Sequence, residues 1–326
     1  MKQKGKSRVL SAFLAVIMVL TMLPGTALAA RTVNNDDYAA GTYTGTGYGY
    51  NNGKVTVTLT LDEAEGEMKI TDISADGSTQ TGWAWEMADD ILETIKKNNG
   101  TEGVDTVSGA TKSSQAIINA TEDALAKAST VIDGTGSESD PYVITSENGL
   151  RALQAQVKAG NTYADKYIKL ANDIELTKEW TPIGSSKDEA FGGTFDGNGH
   201  TISGMTVTDN TLGYVGLFGY TLNGVVIKNL RLEDISIDMP TAAQNIYAGG
   251  LVGFIKNNTS GTISSVIDNC YVSGRITVKN ADKVTVVGGL AAFTDQRAAV
   301  TNSGTDVDID ASSGTGRATV GGLVAW

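Results

Sequence analysis

Four short signatures recur along the second half of this 326-residue chain: Gly216-Leu217-Phe218-Gly219, Gly250-Leu251-Val252-Gly253, Gly289-Leu290-Ala291-Ala292 and Gly322-Leu323-Val324-Ala325. Successive copies start 34, 39 and 33 residues apart. A period of that size is one supersecondary unit per copy, and such units bury their apolar faces by stacking on their neighbours rather than around one shared core. Between the signatures lie Ile227-Lys228-Asn229-Leu230, Ile267-Asp268-Asn269-Cys270 and Val300-Thr301-Asn302-Ser303. Stacking in register predicts one interior row of Leu217, Leu251, Leu290 and Leu323. It also predicts a ladder of side-chain amides from Asn229, Asn269 and Asn302. Cys270 stands where Leu230 stands one copy earlier, which reads as a small buried hydrophobe rather than a reactive thiol.

Upstream of the repeats, Tyr142-Val143-Ile144 predicts a strand, and Ser146 a cap for a helix carrying Leu150, Leu153, Ala155 and Val157. Gly-punctuated turns and strands follow, from Phe191 through His200 to Ile202. From Tyr142 onward the chain resembles surface β-helix proteins with the short Gly-Leu-Val-Gly (GLUG) type repeat, found in bacterial cell-surface proteins and beside some immunoglobulin-cleaving metalloproteases. The resemblance covers most of residues 140–326 and implies an all-β, right-handed parallel β-helix or solenoid, with no chemistry of its own. Residues 141–210 would be the cap and first coils, and residues 211–326 the repeats proper. The third and fourth copies end in Ala292 and Ala325 where the first two have Gly, so the repeat is imperfect. With no closing cap before Trp326, the expectation is a truncated repeat array or an open, adhesive end.

The first half follows different periods. Residues 42–50 are rich in Thr and Tyr and predict a strand, and Asn51-Asn52-Gly53 predicts a tight hairpin turn. Val55, Val57, Leu59 and Leu61 alternate with Thr56, Thr58 and Thr60, a strand with one buried face. After a turn over residues 62–66, Met68, Ile70 and Ile73 continue an antiparallel sheet. Trp85, Ala88, Ile91, Leu92 and Ile95 then fall at helical spacing, stopped by Asn98-Asn99-Gly100. Ile117, Ile118, Ala120, Thr121, Ala124, Leu125 and Ala128 describe a second helix. The expectation for residues 36–130 is an α+β domain, an antiparallel sheet with two helices. Residues 30–40 read as a mobile polar lead-in and residues 131–140, rich in Gly, Ser and Asp, as a linker.

Between the two predicted helices runs Asp105-Thr106-Val107-Ser108-Gly109-Ala110-Thr111. Ser108, Gly109 and Ala110 are small enough for a large planar group to approach the backbone. Thr111 places a hydroxyl at the mouth of a helix whose first amides lack internal acceptors and carry the positive end of the dipole, a place that suits a phosphate. With the Gly41-Thr42-Tyr43-Thr44-Gly45 opening, this stretch resembles the flavinylation motif of extracytoplasmic FMN-binding domains. The resemblance implies that Thr111 receives covalent FMN through a phosphoester made by a flavin transferase, which reads Asp105, Ser108, Gly109 and Ala110. The plainer alternative is that Thr111 caps the helix. Trp83 and Trp85 could stack on a bound ring or fill the sheet–helix core, the usual place of tryptophan.

Lys2, Lys4, Lys6 and Arg8 precede an apolar stretch from Val9 to Leu23 and then Ala27-Leu28-Ala29, the pattern of a secretory signal peptide over residues 1–29. The apolar stretch is short of the roughly 20 residues of a membrane span, so the membrane is met only during export. The formal charge of −12 becomes about −16 once that segment, with four cations and no acid, is removed. So acidic a surface argues against nucleic acid as a partner. With one cysteine and one histidine, an internal disulfide, a thiolate or His-rich metal cluster and a His-Glu-x-x-His protease site are excluded for this chain. His200, in a turn entering a strand, reads as exposed or locally bonded. Asp306, Asp308 and Asp310 share one strand face and could bind calcium, or form a solvent face repeated from the Asp234, Ser236, Asp238 pattern.

These features predict a secreted or surface-attached flavoprotein acting in extracytoplasmic electron transfer. No catalytic residue and no metal ligand is assigned, because no acid–base pair accompanies Thr111, and electron transfer at an exposed ring edge is the expected chemistry. Its partners would be the flavin transferase, a redox partner and a cell-wall or surface component. The alternative from another class is a non-catalytic adhesion or scaffold protein with an empty flavin fold.

Overall fold

Alternation of valine or leucine with threonine builds the first sheet. In the computed structural model, which describes residues 31–325 apart from 35–36, 79, 81, 131, 243, 258–264 and 296–297, strands β1 (Gly41–Tyr48), β2 (Lys54–Ala64) and β3 (Glu67–Asp76) form an antiparallel meander in that order. The segment expected to be a signal peptide and Trp326 lie outside the described residues. Val55, Val57, Leu59 and Leu61 are buried on one face. On the other, the hydroxyls of Thr42 and Thr44 lie 3.0 and 3.1 Å from those of Thr60 and Thr58. The hairpin differs from the expected two-residue turn: Asn51 and Asn52 are left-handed, Gly53 is extended, and Gly49 N–H donates to Gly53 O across a wider loop.

Three helices cover the sheet rather than two: α1 (Gly82–Asp89), α2 (Ile91–Asn98) and α3 (Thr111–Ala128). The expected first helix breaks at Asp90, and the break lets its halves reach different partners, α1 lying against α3 and α2 against β3 and α3. Ala84, Ala88, Ile91, Leu92 and Ile95 are buried as their spacing predicts. Trp85 packs on the core, whereas Trp83 is 60% exposed.

The long helix seats directly on β1. A Cβ on Gly45 would lie 1.9 Å from Ala120 O, and one on Gly47 would lie 2.1 Å from Ala116 O. Ala116, Ala120 and Ala124, four apart, supply the shallow helix face that this contact needs. Residues on both sides of 35–36 are held against the domain, contrary to the expected mobile lead-in. Val33 and Tyr38 are buried, and Thr32 and Tyr38 bridge to Gly100 and Ser129.

A β-rich body follows. Ser146 caps α4 (Glu147–Lys158) by accepting from Gly149 N–H at 3.3 Å. Leu150, Leu153 and Val157 are buried; Ala155 falls on the opposite helix face and is exposed. Strands β4 (Tyr142–Ile144), β5 (Tyr167–Leu170), β6 (Ile174–Glu175), β7 (Thr194–Asp196), β8 (Thr201–Ser203) and β9 (Thr206–Val207) lead into the repeats, and all their mutual pairings are parallel. Successive repeats then feed three parallel sheets. The first sheet holds β10 (Tyr214–Val215), β13 (Ile246–Gly249), β16 (Thr285–Gly288) and β20 (Ala318–Gly321). The second holds β11 (Phe218–Thr221), β14 (Val252–Ile255) and β17 (Ala291–Thr294). The third takes β12 (Val226–Ala242) and β15 (Ser265–Asn280), then β18 (Ala298–Thr301) and β19 (Gly304–Ser313).

Leu217, Leu251 and Leu290 form the expected buried row, with amide-to-carbonyl bonds running Phe218 to Leu251, Leu251 to Leu290 and Leu290 to Leu323. Leu323, with no repeat laid over it among the described residues, is 37% exposed. The asparagine ladder is partial. Asn229, Asn269 and Asn302 are all left-handed, with φ of 54°, 51° and 50°. Asn269 Nδ2 donates to Asn229 Oδ1 (2.9 Å), and Asn229 Nδ2 to Asp196 Oδ1 (3.0 Å). Asn302 turns instead to Asp268 Oδ1 (2.8 Å), a carboxylate and so a stronger acceptor than an amide. Among the described residues no helix is long and apolar enough to cross a membrane.

Two tests follow from this packing. Gly45→Ala, which forces α3 off β1, is expected to destabilise the first domain by about 2 kcal/mol or more, read as a lowered urea midpoint in tryptophan emission. Glu122 is buried on α3, and burial pushes its carboxyl above the ordinary range despite a bond from Thr101 and the nearby Arg31 charge. A folded-state value above the unfolded one means that this contribution to stability is present at low pH and lost as pH rises past about 4.5 through the raised value. Glu122→Gln should flatten that part of the stability profile, measured by urea unfolding at successive pH values.

Candidate functional site

Residues 105–111 join α2 to α3 as one turn pinned from the inside. Ala110 N–H donates to Val107 O (3.0 Å), and Gly109 adopts φ 87°, a conformation open to glycine. Ser114, fully buried one helical turn further on, donates its hydroxyl to Ala110 O (2.9 Å) and accepts from Val107 N–H (3.1 Å). Val107 leans on the core and Ala110 is buried, so Asp105, Ser108, Gly109 and Thr111 are left exposed on one outward rim.

Thr111 does not cap the helix. It is the first residue of α3, while Ala110 occupies the cap position and offers no side-chain acceptor. Ser114 N–H reaches Ala110 O, but among the described residues no protein acceptor meets the amides of Thr111, Lys112 and Ser113. No acidic residue lies in the first turn. An 18-residue helix thus opens with three available amides, an exposed hydroxyl and a lysine, a donor set that fits a phosphate monoester or diester.

The surroundings add groups that sequence reasoning passed over. Gln80 braces the β1–β2 loop against α3: its Oε1 accepts from Tyr50 N–H (3.1 Å) and Ser113 Oγ (3.3 Å), and its Nε2 donates to Gly53 O (2.8 Å). Lys112 Nζ sits 5.4 Å from the centre of the Tyr50 ring, and Tyr50 is 49% exposed. Nothing in the local pattern around Gln80 announces this bridge, because its partners lie 30 residues upstream and 33 downstream. Ser114 was legible in principle, sharing the inward face with Ile117, Ile118 and Thr121.

The other singled-out residues lie elsewhere and do not converge on the turn. Cys270 faces the interior in register with Leu230, and burial pushes its thiol up to about 12. His200 Nδ1 is 3.1 Å from Asp173 Oδ1, a contact with the preceding coil. Asp308 and Asp310 point to solvent and pair with Arg275 (2.8 Å) and Lys279 (3.2 Å) of the adjacent strand, so the stripe is a charged ladder along the stack rather than a converging cage. A cavity of about 710 Å³ lies beside the far end of α3, bordered by Tyr43, Lys127, Asn148, Asp173 and Glu175. There Asn148 Nδ2 donates to Lys127 O (2.9 Å) and Ala128 O (3.3 Å), fastening the end of α3 to the start of α4.

The model of the FMN-binding domain family matches residues 49–126. That span takes in Tyr50, Gln80, the whole 105–111 turn and most of α3, and it supports an FMN-binding domain in the first part of the chain. Two relatives match longer stretches. Halomucin of Haloquadratum walsbyi is 28% identical over 183 residues, covering 53% of this chain and 2% of that protein. A "Putative Gly-rich membrane protein" of Evansella cellulosilytica is 28% identical over 148 residues, covering 43% of this chain and 16% of that protein. The chain therefore spans only a small part of either relative's length. Among solved structures, one titled as a putative immunoglobulin A1 protease from Bacteroides ovatus aligns with a TM-score of 0.37 at 20% identity, covering 61% of this chain and 75% of that one.

A pair of substitutions separates a capping threonine from an exposed one. Thr111→Ala in the unmodified chain should change stability by less than about 0.5 kcal/mol, against roughly 1 kcal/mol for loss of a true cap. Ser114→Ala, which frees the turn, should cost about 1–2 kcal/mol in the same chemical unfolding experiment.

Proposed function

We propose that this chain is an exported flavoprotein in which FMN is joined to Thr111 Oγ through a phosphoester, and which carries electrons outside the cytoplasm. The observation that carries the reading is an exposed, non-capping threonine hydroxyl at the unserved start of a long helix, inside the segment matched as an FMN-binding domain. When bound, the flavin supplies reversible one- and two-electron chemistry. The chain's own part is to hold it. In net terms the Thr111 hydroxyl and the FMN phosphate would condense with loss of one water, the new O–P bond replacing one P–OH bond, and the amides of residues 111–113 would serve the phosphate oxygens while Ser114 braces the turn through Val107 and Ala110. Asp105, Ser108 and Gly109 form the exposed rim, set over the buried Ala110, that a flavin transferase would read. Covalent attachment suits a protein outside the cell, where a dissociated cofactor is lost by dilution.

The parallel sheets of the second part are read as a right-handed β-helix that presents the flavin domain at the cell surface, facing a redox partner and a wall or surface component. Asn148 fastens α3 by its C-terminal end, while Thr111 opens the other end about 27 Å away, so attachment to the repeats leaves the flavin end outward. The likeness to halomucin and to a Gly-rich membrane protein supports a surface location.

Co-expression with a flavin transferase should give a yellow protein whose denatured band fluoresces as flavin and whose mass exceeds that of the mature chain by one FMN less one water. Thr111→Ala should abolish both. Colourless material from the native source carrying an unmodified Thr111 peptide would overturn the reading and leave a surface stalk.

A further inference from the structure

Lys112 is electrostatically misplaced in the unmodified chain. The first turn of a helix favours carboxylates and disfavours cations, yet α3 begins with Thr111-Lys112 and no acid. The whole chain carries 37 acidic against 25 basic side chains, so cations are the scarcer charge. Even so, no carboxylate among the described residues pairs with Lys112. Its Nζ rests instead over the face of Tyr50 at 5.4 Å. That ring is half exposed, but its backbone is not free to drift. Gln80 bonds both Tyr50 N–H and Ser113 Oγ, which locks the ring's base to the first turn of the helix beside Thr111.

We infer that Lys112 and Tyr50 form a two-part clamp for the group on Thr111, with Lys112 as counter-charge to the phosphodiester and the Tyr50 ring as the surface on which the isoalloxazine stacks. The inference rests on flavin attachment at Thr111. It names which of the chain's residues hold the flavin, and nothing in the 105–111 motif contains either of them. A phosphodiester on the adjacent residue brings one negative charge to the place where the helix amides and Lys112 Nζ already concentrate positive charge. As Lys112 turns to that charge, the Tyr50 face it covers becomes available to a planar ring, which prefers an offset stack. The clamp makes the flavin's position sensitive to salt, because the charge contact is exposed and screened, whereas the stack is not.

Flavin emission reads this directly, since stacking on tyrosine quenches it. The flavinylated mature chain, with Tyr50→Leu, Lys112→Gln and Lys112→Arg variants, is measured native and after denaturation in the same cuvette. Equal denatured emission shows that all four carry the flavin. Native emission of the parent should be low and should rise with added salt. Tyr50→Leu should raise it by a factor of about 2 to 10, the span that one stacking pair represents in an equilibrium constant. Lys112→Gln should raise it and remove the salt response, and Lys112→Arg should restore both. Both side chains lie at the surface, so the variants are expected to keep the fold. Equal native emission and salt response in all four proteins would overturn the clamp while leaving flavin attachment standing. Absence of flavin emission after denaturation would overturn both.

Discussion

The position of the candidate site depends on one backbone-to-backbone contact. Gly45 and Gly47 let β1 press against the carbonyls of Ala116 and Ala120, so α3 lies nearer the sheet than any side chain would allow. From that seat the start of α3 comes level with the β1–β2 loop, and Gln80 can reach both. The exposed hydroxyl of Thr111, the free amides and the Tyr50 ring then share one rim. A wider helix–sheet separation would part the loop from the helix start and dissolve that rim. Small residues on both partners are thus part of the site, though none of them faces it.

The second part of the chain obeys a different constraint. Its parallel strands pair with those of neighbouring repeats, so each repeat draws its stability from the adjacent ones. Left-handed asparagines within β12 and β15 and just after β18 turn the backbone while their amides bond to the preceding repeat. Charges on the outer face alternate between coils, as Arg275 with Asp308 and Lys279 with Asp310 show. An acidic surface is tolerated because much of its charge is locally matched. Such surface pairs add little to stability, which rests on the buried Leu217, Leu251 and Leu290 row and on the strand ladders.

Joining the two parts is Asn148, which serves the last carbonyls of α3 from the start of α4. A helix end that would otherwise expose unsatisfied acceptors is completed by the next unit. The same bond settles which end of the flavin domain faces the repeats. Thr111 therefore opens at the end of α3 away from that attachment.

Much of this architecture was legible from local pattern. Period-two alternation in residues 55–61, the spacing of Ile117 to Ala128 and the recurrence of the Gly-Leu signatures each report a buried face by themselves, because burial repeats with the geometry of the element. The 105–111 stretch was picked out by its resemblance to a flavinylation motif, which is contiguous and needs no distant partner. Other features depended on groups far apart in sequence. The break at Asp90 accompanies a difference in packing, α2 reaching β3 while both helices rest on α3. Asn302 leaves the amide ladder because Asp268 of the previous coil is the better acceptor. Trp85 turns inward and Trp83 outward according to which face of α1 meets the core. The Lys112–Tyr50 contact exists because Gln80 bridges a loop and a helix more than 60 residues apart. Local composition and periodicity thus determined which segments fold, which faces are buried and that the Thr111 hydroxyl opens a helix. Which side chains gather around that hydroxyl was decided only when α3 settled on β1, since proximity in space is set by close packing across distant segments and leaves no periodic trace along the chain.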